Sequence, residues 1–247
     1  MKKYKKIIIL TVISLSVYFI YLVTNKNNIT YISLGDSLSI GQNAYGGNSY
    51  GYTGYFSDYL RKGHNLNITT TYFNSKNKDI STLYNDILKN IEQNKMSALL
   101  SIEEGACCKG NIQLLRNFRT ISIGLNDIIY EYSLKNKKKL SKYEEDRIIS
   151  YIEDNFNNLI QEIKKYTTKK IIVVGYPTNN VKYKNLIQKL NTKYKKICQS
   201  TTDIFIDSDK LLNNEKYFEL KNNLFPNDQG YKKIAENIIK SYENTKK

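Results

Sequence analysis

The sequence has no tryptophan, a single histidine and three cysteines in 247 residues. Each scarcity narrows the chemistry. One histidine, His64, argues against a histidine-built metal site, and it leaves any serine nucleophile a single imidazole to recruit. Cys107, Cys108 and Cys198 are odd in number and two are adjacent, which is no disulfide framework. They read as incidental free thiols, the first pair in the loop-like Glu103–Gly110 stretch. No metal and no cofactor is implied. There is no internal repeat and no sign of a second large domain.

What the chain has in excess is Lys, Asn, Ile and Tyr, a bias that makes surface lysine and asparagine runs uninformative. Apolar residues make up 40%, enough for a mid-sized core. Four lysines fall within the first six residues, followed by an uncharged run of 18 residues from Ile7 to Thr24. That length is near the lower limit for spanning a bilayer. The run ends in Tyr21-Leu22-Val23-Thr24, without the small residues of a cleavage site and without a cysteine for lipid attachment. The expected organisation is a cytoplasmic basic segment (1–6), a single-pass transmembrane signal anchor (7–24), a polar tether (25–29) and one extracytoplasmic domain (30–247).

The formal charge is +15; setting aside the four leading lysines leaves 34 basic against 23 acidic residues, about +11. Behind a membrane anchor the expected counterparts are anionic lipid headgroups or acidic wall polymers, and no nucleic acid is expected. The oligomeric state is not legible.

Along the domain, strand-like and helix-like stretches alternate. Strands are expected near Tyr31–Leu34, Leu66–Phe73, Arg119–Ile123, Lys170–Gly175 and Asp203–Ile206. Helical periodicity is expected at Tyr55–Leu60, from Ile80 through Ile91, and over 143–166, 181–198 and 228–242. Gly41–Gly54 reads as a loop, and residues 94–117 carry no clear pattern. Such alternation implies parallel βαβ units, hence a three-layer α/β/α sandwich with a parallel, flavodoxin-like sheet. Ligands of such sheets bind beyond the carboxyl ends of the strands.

Two short motifs fall at strand ends. Tyr31-Ile32-Ser33-Leu34-Gly35-Asp36-Ser37-Leu38 is an apolar strand that stops at a glycine and delivers Ser37 onto what reads as the first turn of a helix, where its hydroxyl and backbone N–H could face an oxyanion. Gly124-Leu125-Asn126-Asp127 follows a central strand. Together, and with the Pro226-Asn227-Asp228-Gln229-Gly230-Tyr231 helix entry, they resemble the GDSL or SGNH hydrolase family over residues 30–243. The resemblance implies Ser37 as nucleophile and Asn126 as an oxyanion-hole donor. It also implies an Asp-x-x-His before the last helix, but that stretch reads Asn222-Asn223-Leu224-Phe225-Pro226. Phe225 therefore stands at the histidine position and Asn222 at the aspartate position. A further oxyanion donor, a glycine N–H after the second strand, has no counterpart in Phe73–Asp79.

Two functions follow as expectations. One is a membrane-anchored ester hydrolase acting on lipid or on acylated envelope glycan, with an unorthodox base such as Lys78 (from Ser75-x-x-Lys78), Asp207 or Asp209. The other is a pseudoenzyme that binds an acylated or anionic envelope ligand or scaffolds partners.

Overall fold

The computed structural model describes residues 14–16, 29–64, 66–103, 118–134, 140–167 and 169–245. Strands β1 (Ile29–Gly35), β2 (Leu66–Asn74), β3 (Phe118–Ser122), β4 (Ile171–Val174) and β5 (Ile204–Ile206) form one sheet in the order β2-β1-β3-β4-β5. Every pairing is parallel. A parallel strand buried on both faces needs an unbroken apolar run, and Ile171-Ile172-Val173-Val174 is buried throughout. The expected flavodoxin-like sheet is what the chain builds.

The helices are α1 (Gly51–Gly63), α2 (Ile80–Glu103), α3 (Leu125–Leu134), α4 (Lys142–Lys164), α5 (Lys184–Ser200), α6 (Ser208–Leu211) and α7 (Asp228–Asn244). On one face α1 packs against α7, with Phe56 edge-on to Tyr31 of β1 at 5.0 Å and to Tyr242 of α7 at 5.8 Å. On the other face α4 contacts α2, α3 and α5. Helix α4 shows why such segments fold. Ser141 and Glu144 form a reciprocal capping box, and Ile148, Ile149, Ile152, Phe156, Leu159, Ile160 and Ile163 make one buried stripe. Phe156 stacks on Tyr194 of α5 with ring centres 4.0 Å apart.

Two local expectations need correction. Ser37 does not enter a helix. Residues 36–42 form a hydrogen-bonded turn, Ser39 N to Asp36 O (3.0 Å) and Gln42 N to Ser37 O (3.0 Å), and α1 starts only at Gly51. Gly41, at φ +78°, ends the turn because it lies against Gly51, where a side chain would meet backbone. Helix α1 therefore starts inside the stretch that reads as loop. Helix α3 was not legible, being short and entered directly from the Gly124 turn. Among the described residues no helix is long and apolar enough to cross a membrane. The anchor expected over residues 7–24 lies outside the described residues except for Ser14–Ser16, which are helical and exposed. Cys107 and Cys108 also lie outside them.

Candidate active site

The site begins with two glycines that no other residue replaces. Gly35 sits at φ +144°, and a Cβ there would lie 1.9 Å from the Ser122 carbonyl oxygen. Gly124 sits at φ +109°, and a Cβ there would lie 2.7 Å from the Tyr194 hydroxyl. Both the conformation and the close approach demand glycine. These turns end β1 and lead out of β3 side by side, so Ser37 and Asn126 reach the same carboxyl edge.

Asp36 fixes their relationship. It is fully buried, and its carboxylate accepts from Leu38 N–H (3.2 Å), Leu125 N–H (3.3 Å) and the Tyr176 hydroxyl (2.5 Å). One side chain thus ties the turn after β1 to the starts of α3 and of the loop after β4. Burial pushes its pKa up to about 7, against the Tyr176 and backbone hydrogen bonds, which pull it down.

Ser37 is 3% exposed. Its Oγ donates to the main-chain carbonyl of Lys76 at 2.8 Å. Asn126 Nδ2 donates to the same Lys76 carbonyl at 2.7 Å and to that of Lys78 at 2.8 Å. The loop between β2 and α2, the one without the family's glycine, therefore lies across the two groups. It is tied down by Ser75 N to Gly35 O (3.1 Å), by Lys76 Nζ to the Gly46 carbonyl, and by a Lys78–Asp86 ion pair at 2.5 Å. At its end Asp79 accepts from Thr82 N–H (2.7 Å) and Ser81 Oγ (2.8 Å) at the head of α2. Burial would raise the Asp79 pKa, but these donors outweigh it and hold the carboxylate below its usual range. Neighbouring Asp127 accepts from Ile80 N–H (3.1 Å), and its own burial pushes its pKa up to about 6.

The bases suggested by the sequence, Lys78, Asp207 and Asp209, have other partners, and so has the single histidine. His64 follows α1, with Nε2 2.9 Å from the Tyr59 hydroxyl and 3.1 Å from Glu243. It precedes Leu66, which pairs with the first residue of β1, whereas Ser37 follows the last one. Seven strand residues, roughly 20 Å, separate those ends. Lys78 is committed to Asp86. Asp207 caps α6 through Lys210 N–H, and Asp209 accepts from Thr178. Phe225 is buried, and its N–H donates to Asn223 Oδ1 at 3.3 Å. Asn222 is exposed at φ +61°, and its carbonyl accepts from Asn180 Nδ2. The entry to α7 does lie at the site's edge of the sheet, since Tyr231 Oη donates to the Gln42 carbonyl at 2.6 Å. Sequence reasoning missed two participants, the Asp36–Tyr176 pair and the Lys76 carbonyl. The missing glycine after β2 was the available signal for the second.

A five-stranded parallel sheet in this order, covered on both faces, with Ser37 and Asn126 converging at its carboxyl edge, defines an SGNH-type hydrolase fold. The chain matches the GDSL-like lipase/acylhydrolase family over residues 33–233 and belongs to it. Solved structures carry the same fold. A catalytic mutant of the acetylxylan esterase Axe2 from Geobacillus stearothermophilus is 16% identical, with a TM-score of 0.57, covering 87% of this chain and 95% of that one. The lipase Lip_vut3 from a goat rumen metagenome is 13% identical, with a TM-score of 0.62, covering 87% and 97%. A lipolytic G-D-S-L family protein from Veillonella parvula is also 13% identical, with a TM-score of 0.57, covering 87% and 98%. No curated protein matches the chain.

Proposed function

We propose that this chain is a membrane-tethered, outward-facing member of the family that binds an acylated envelope ligand without turning it over. The observation that carries this reading is the pairing of Ser37 with a peptide carbonyl. A serine hydroxyl needs a neighbouring base to attack an ester at neutral pH, and a carbonyl oxygen is no such base. With Phe225 at the histidine position and Asn222 at the aspartate position, neither proton acceptor nor imidazolium partner is present there. Elsewhere, loss of the nucleophile or base in a serine hydrolase costs about 10⁶ in turnover. On the same reading, Ser37 and Asn126 donate to a ligand's acyl carbonyl once the Lys76 carbonyl leaves. The lysine cluster and the run from Ile7 to Thr24 hold the domain at the outer membrane face.

A second reading, ester hydrolysis with Ser37 as nucleophile and Asn126 in the oxyanion hole, is favoured by one observation. Asn126 Nδ2 donates to a carbonyl oxygen that lies 2.8 Å from Ser37 Oγ, so an ester carbonyl held there would have its oxygen polarised by the amide and its carbon next to the hydroxyl. The experiment is intact-mass analysis of the full chain after treatment with a serine-reactive fluorophosphonate, beside Ser37→Ala. No adduct in either protein is the expected result. An adduct on the wild type that Ser37→Ala abolishes would overturn the non-catalytic reading in favour of hydrolysis.

A further inference from the structure

A groove of about 780 Å³ opens next to Asn126, between α3, α4 and the head of α2. Its character differs from the rest of the molecule. Asp79, Asp127 and Glu131 face it with a single guanidinium, Arg147, so it is locally acidic in a chain of net charge +15. Arg147 Nη2 pairs with Glu131 Oε2 at 3.0 Å, which joins α3 to α4 across the groove. An anionic polymer or phosphate headgroup meets repulsion there. The rest of the lining is mainly apolar, with Ile129 and Ile148 beside the aromatic rings, but the carboxylates interrupt it, so a lipid acyl chain laid along it would have to strip them of water at a cost.

The walls carry two aromatic rings open to solvent, Tyr130 at 61% exposure and Tyr151 at 49%. A tyrosine offers an apolar ring face together with a polar hydroxyl. Exposed rings and aliphatic side chains interspersed with carboxylate and amide groups suit a ligand with apolar C–H faces and many hydroxyl donors. That description fits a sugar ring. The volume lies in the range of small-molecule sites, and Asn126 is shared between this groove and the Ser37 site.

We infer that the groove between α3 and α4 is a saccharide subsite, in which Tyr130 and Tyr151 stack on the rings of a neutral glycan and the carboxylates accept its hydroxyls. This deepens the function proposed above and rests on it only for the acyl group, which the glycan would present toward Ser37 and Asn126.

The test is isothermal titration of the detergent-solubilised full chain with tetra-N-acetylchitotetraose, a neutral probe, and with dextran sulfate, an anionic one. The expected result is binding of the neutral probe that weakens at least tenfold in Tyr130→Ala and in Tyr151→Ala, with no Tyr130-dependent binding of dextran sulfate. Because both rings are exposed, the thermal midpoints of the variants should match the wild type, so a lost heat would report the groove itself. No binding of the neutral probe would overturn the inference. So would binding that neither substitution weakens, or Tyr130-dependent binding of the anion alone. A fluorophosphonate adduct on Ser37 would leave this inference standing while overturning the non-catalytic reading, so the two failures are distinguishable.

Discussion

The Lys76 carbonyl oxygen lies 2.8 Å from Ser37 Oγ and accepts the serine's hydrogen, while Asn126 donates to the same oxygen at 2.7 Å. The two donors are thus satisfied by the protein's own backbone. Any ligand that takes these two donors must displace the loop. The side-chain ties of that loop, Lys76 to Gly46 and Lys78 to Asp86, lie outside the Ser37 pair and can be removed separately.

Removing both ties in Lys76→Ala/Lys78→Ala should raise amide hydrogen exchange at Ser75 and Lys78 by about tenfold, equivalent to roughly 1.4 kcal/mol of lost protection. Exchange in β4 should stay the same. Unchanged exchange at Ser75 and Lys78 would show that the main-chain bonds alone hold the loop closed.

Asn126 acts here as a donor to two carbonyls, which makes the identity of its substituent decisive. Asn126→Ala should destabilise the fold by about 1–3 kcal/mol, since the part-buried Lys78 carbonyl loses this donor and the Lys76 carbonyl keeps only that of Ser37. Asn126→Asp, nearly the same shape, should be worse than alanine because it turns an acceptor toward the carbonyls of Lys76 and Lys78. Equal thermal midpoints for the two variants would contradict the bonding described.

Restoring the missing pair tests whether the loop or the base limits chemistry. Asn222 already holds φ +61°, which aspartate tolerates, while Phe225→His places an imidazole in a buried apolar position, so Phe225→His/Asn222→Asp should fold with a lowered thermal midpoint. Its hydrolysis of p-nitrophenyl acetate should stay at background while the Lys76 carbonyl fills the site. Adding Lys78→Gly, which removes the Asp86 tie and frees the backbone, should raise the rate at least tenfold. A gain from the first two changes alone would show that the loop poses no barrier.

The pKa of Asp36, raised from 3.8 to about 7 by burial, makes a signed prediction. The folded state holds the proton more tightly than the unfolded chain. Protonation of Asp36 therefore adds stability that is complete below about pH 4 and is lost as pH rises through about 7. Asp36→Asn cannot titrate. The stability difference between wild type and Asp36→Asn, measured by urea unfolding, should accordingly be larger at pH 4.5 than at pH 7.5. A gap that widens with pH would reverse the assignment.

Much of the fold was legible because it rests on apolar patterning. The unbroken Ile171–Val174 run and the period of 143–166 each admit one element, and the two glycine-ended strands placed Ser37 and Asn126 at one edge. The rest depended on atoms that a side-chain pattern does not encode. The Lys76 carbonyl is a backbone group, so no residue type announces its role. Tyr176 reaches Asp36 from 140 positions away. Arg119, which reads as an ordinary strand residue, is 1% exposed, and its guanidinium has no hydrogen-bond partner among the described residues; burial lowers its pKa to about 9. Nothing in the local sequence distinguishes it.

The hydrogen bonds of Asp36 also give part of the motif a structural duty. Gly35, Asp36 and Gly124 hold strand ends together, and Ser37 with Asn126 holds the loop over them, so each has a folding duty independent of any reaction. Asn222 is exposed and makes its described bond through its main-chain carbonyl, while Phe225 fills a buried apolar position. Folding stability therefore constrains the first set through hydrogen bonds and close approach, whereas it bears on Asn222 through main-chain geometry and on Phe225 through apolar burial. The Gly35–Ser37 and Gly124–Asn126 signatures therefore mark a way of joining strand ends as much as a chemistry.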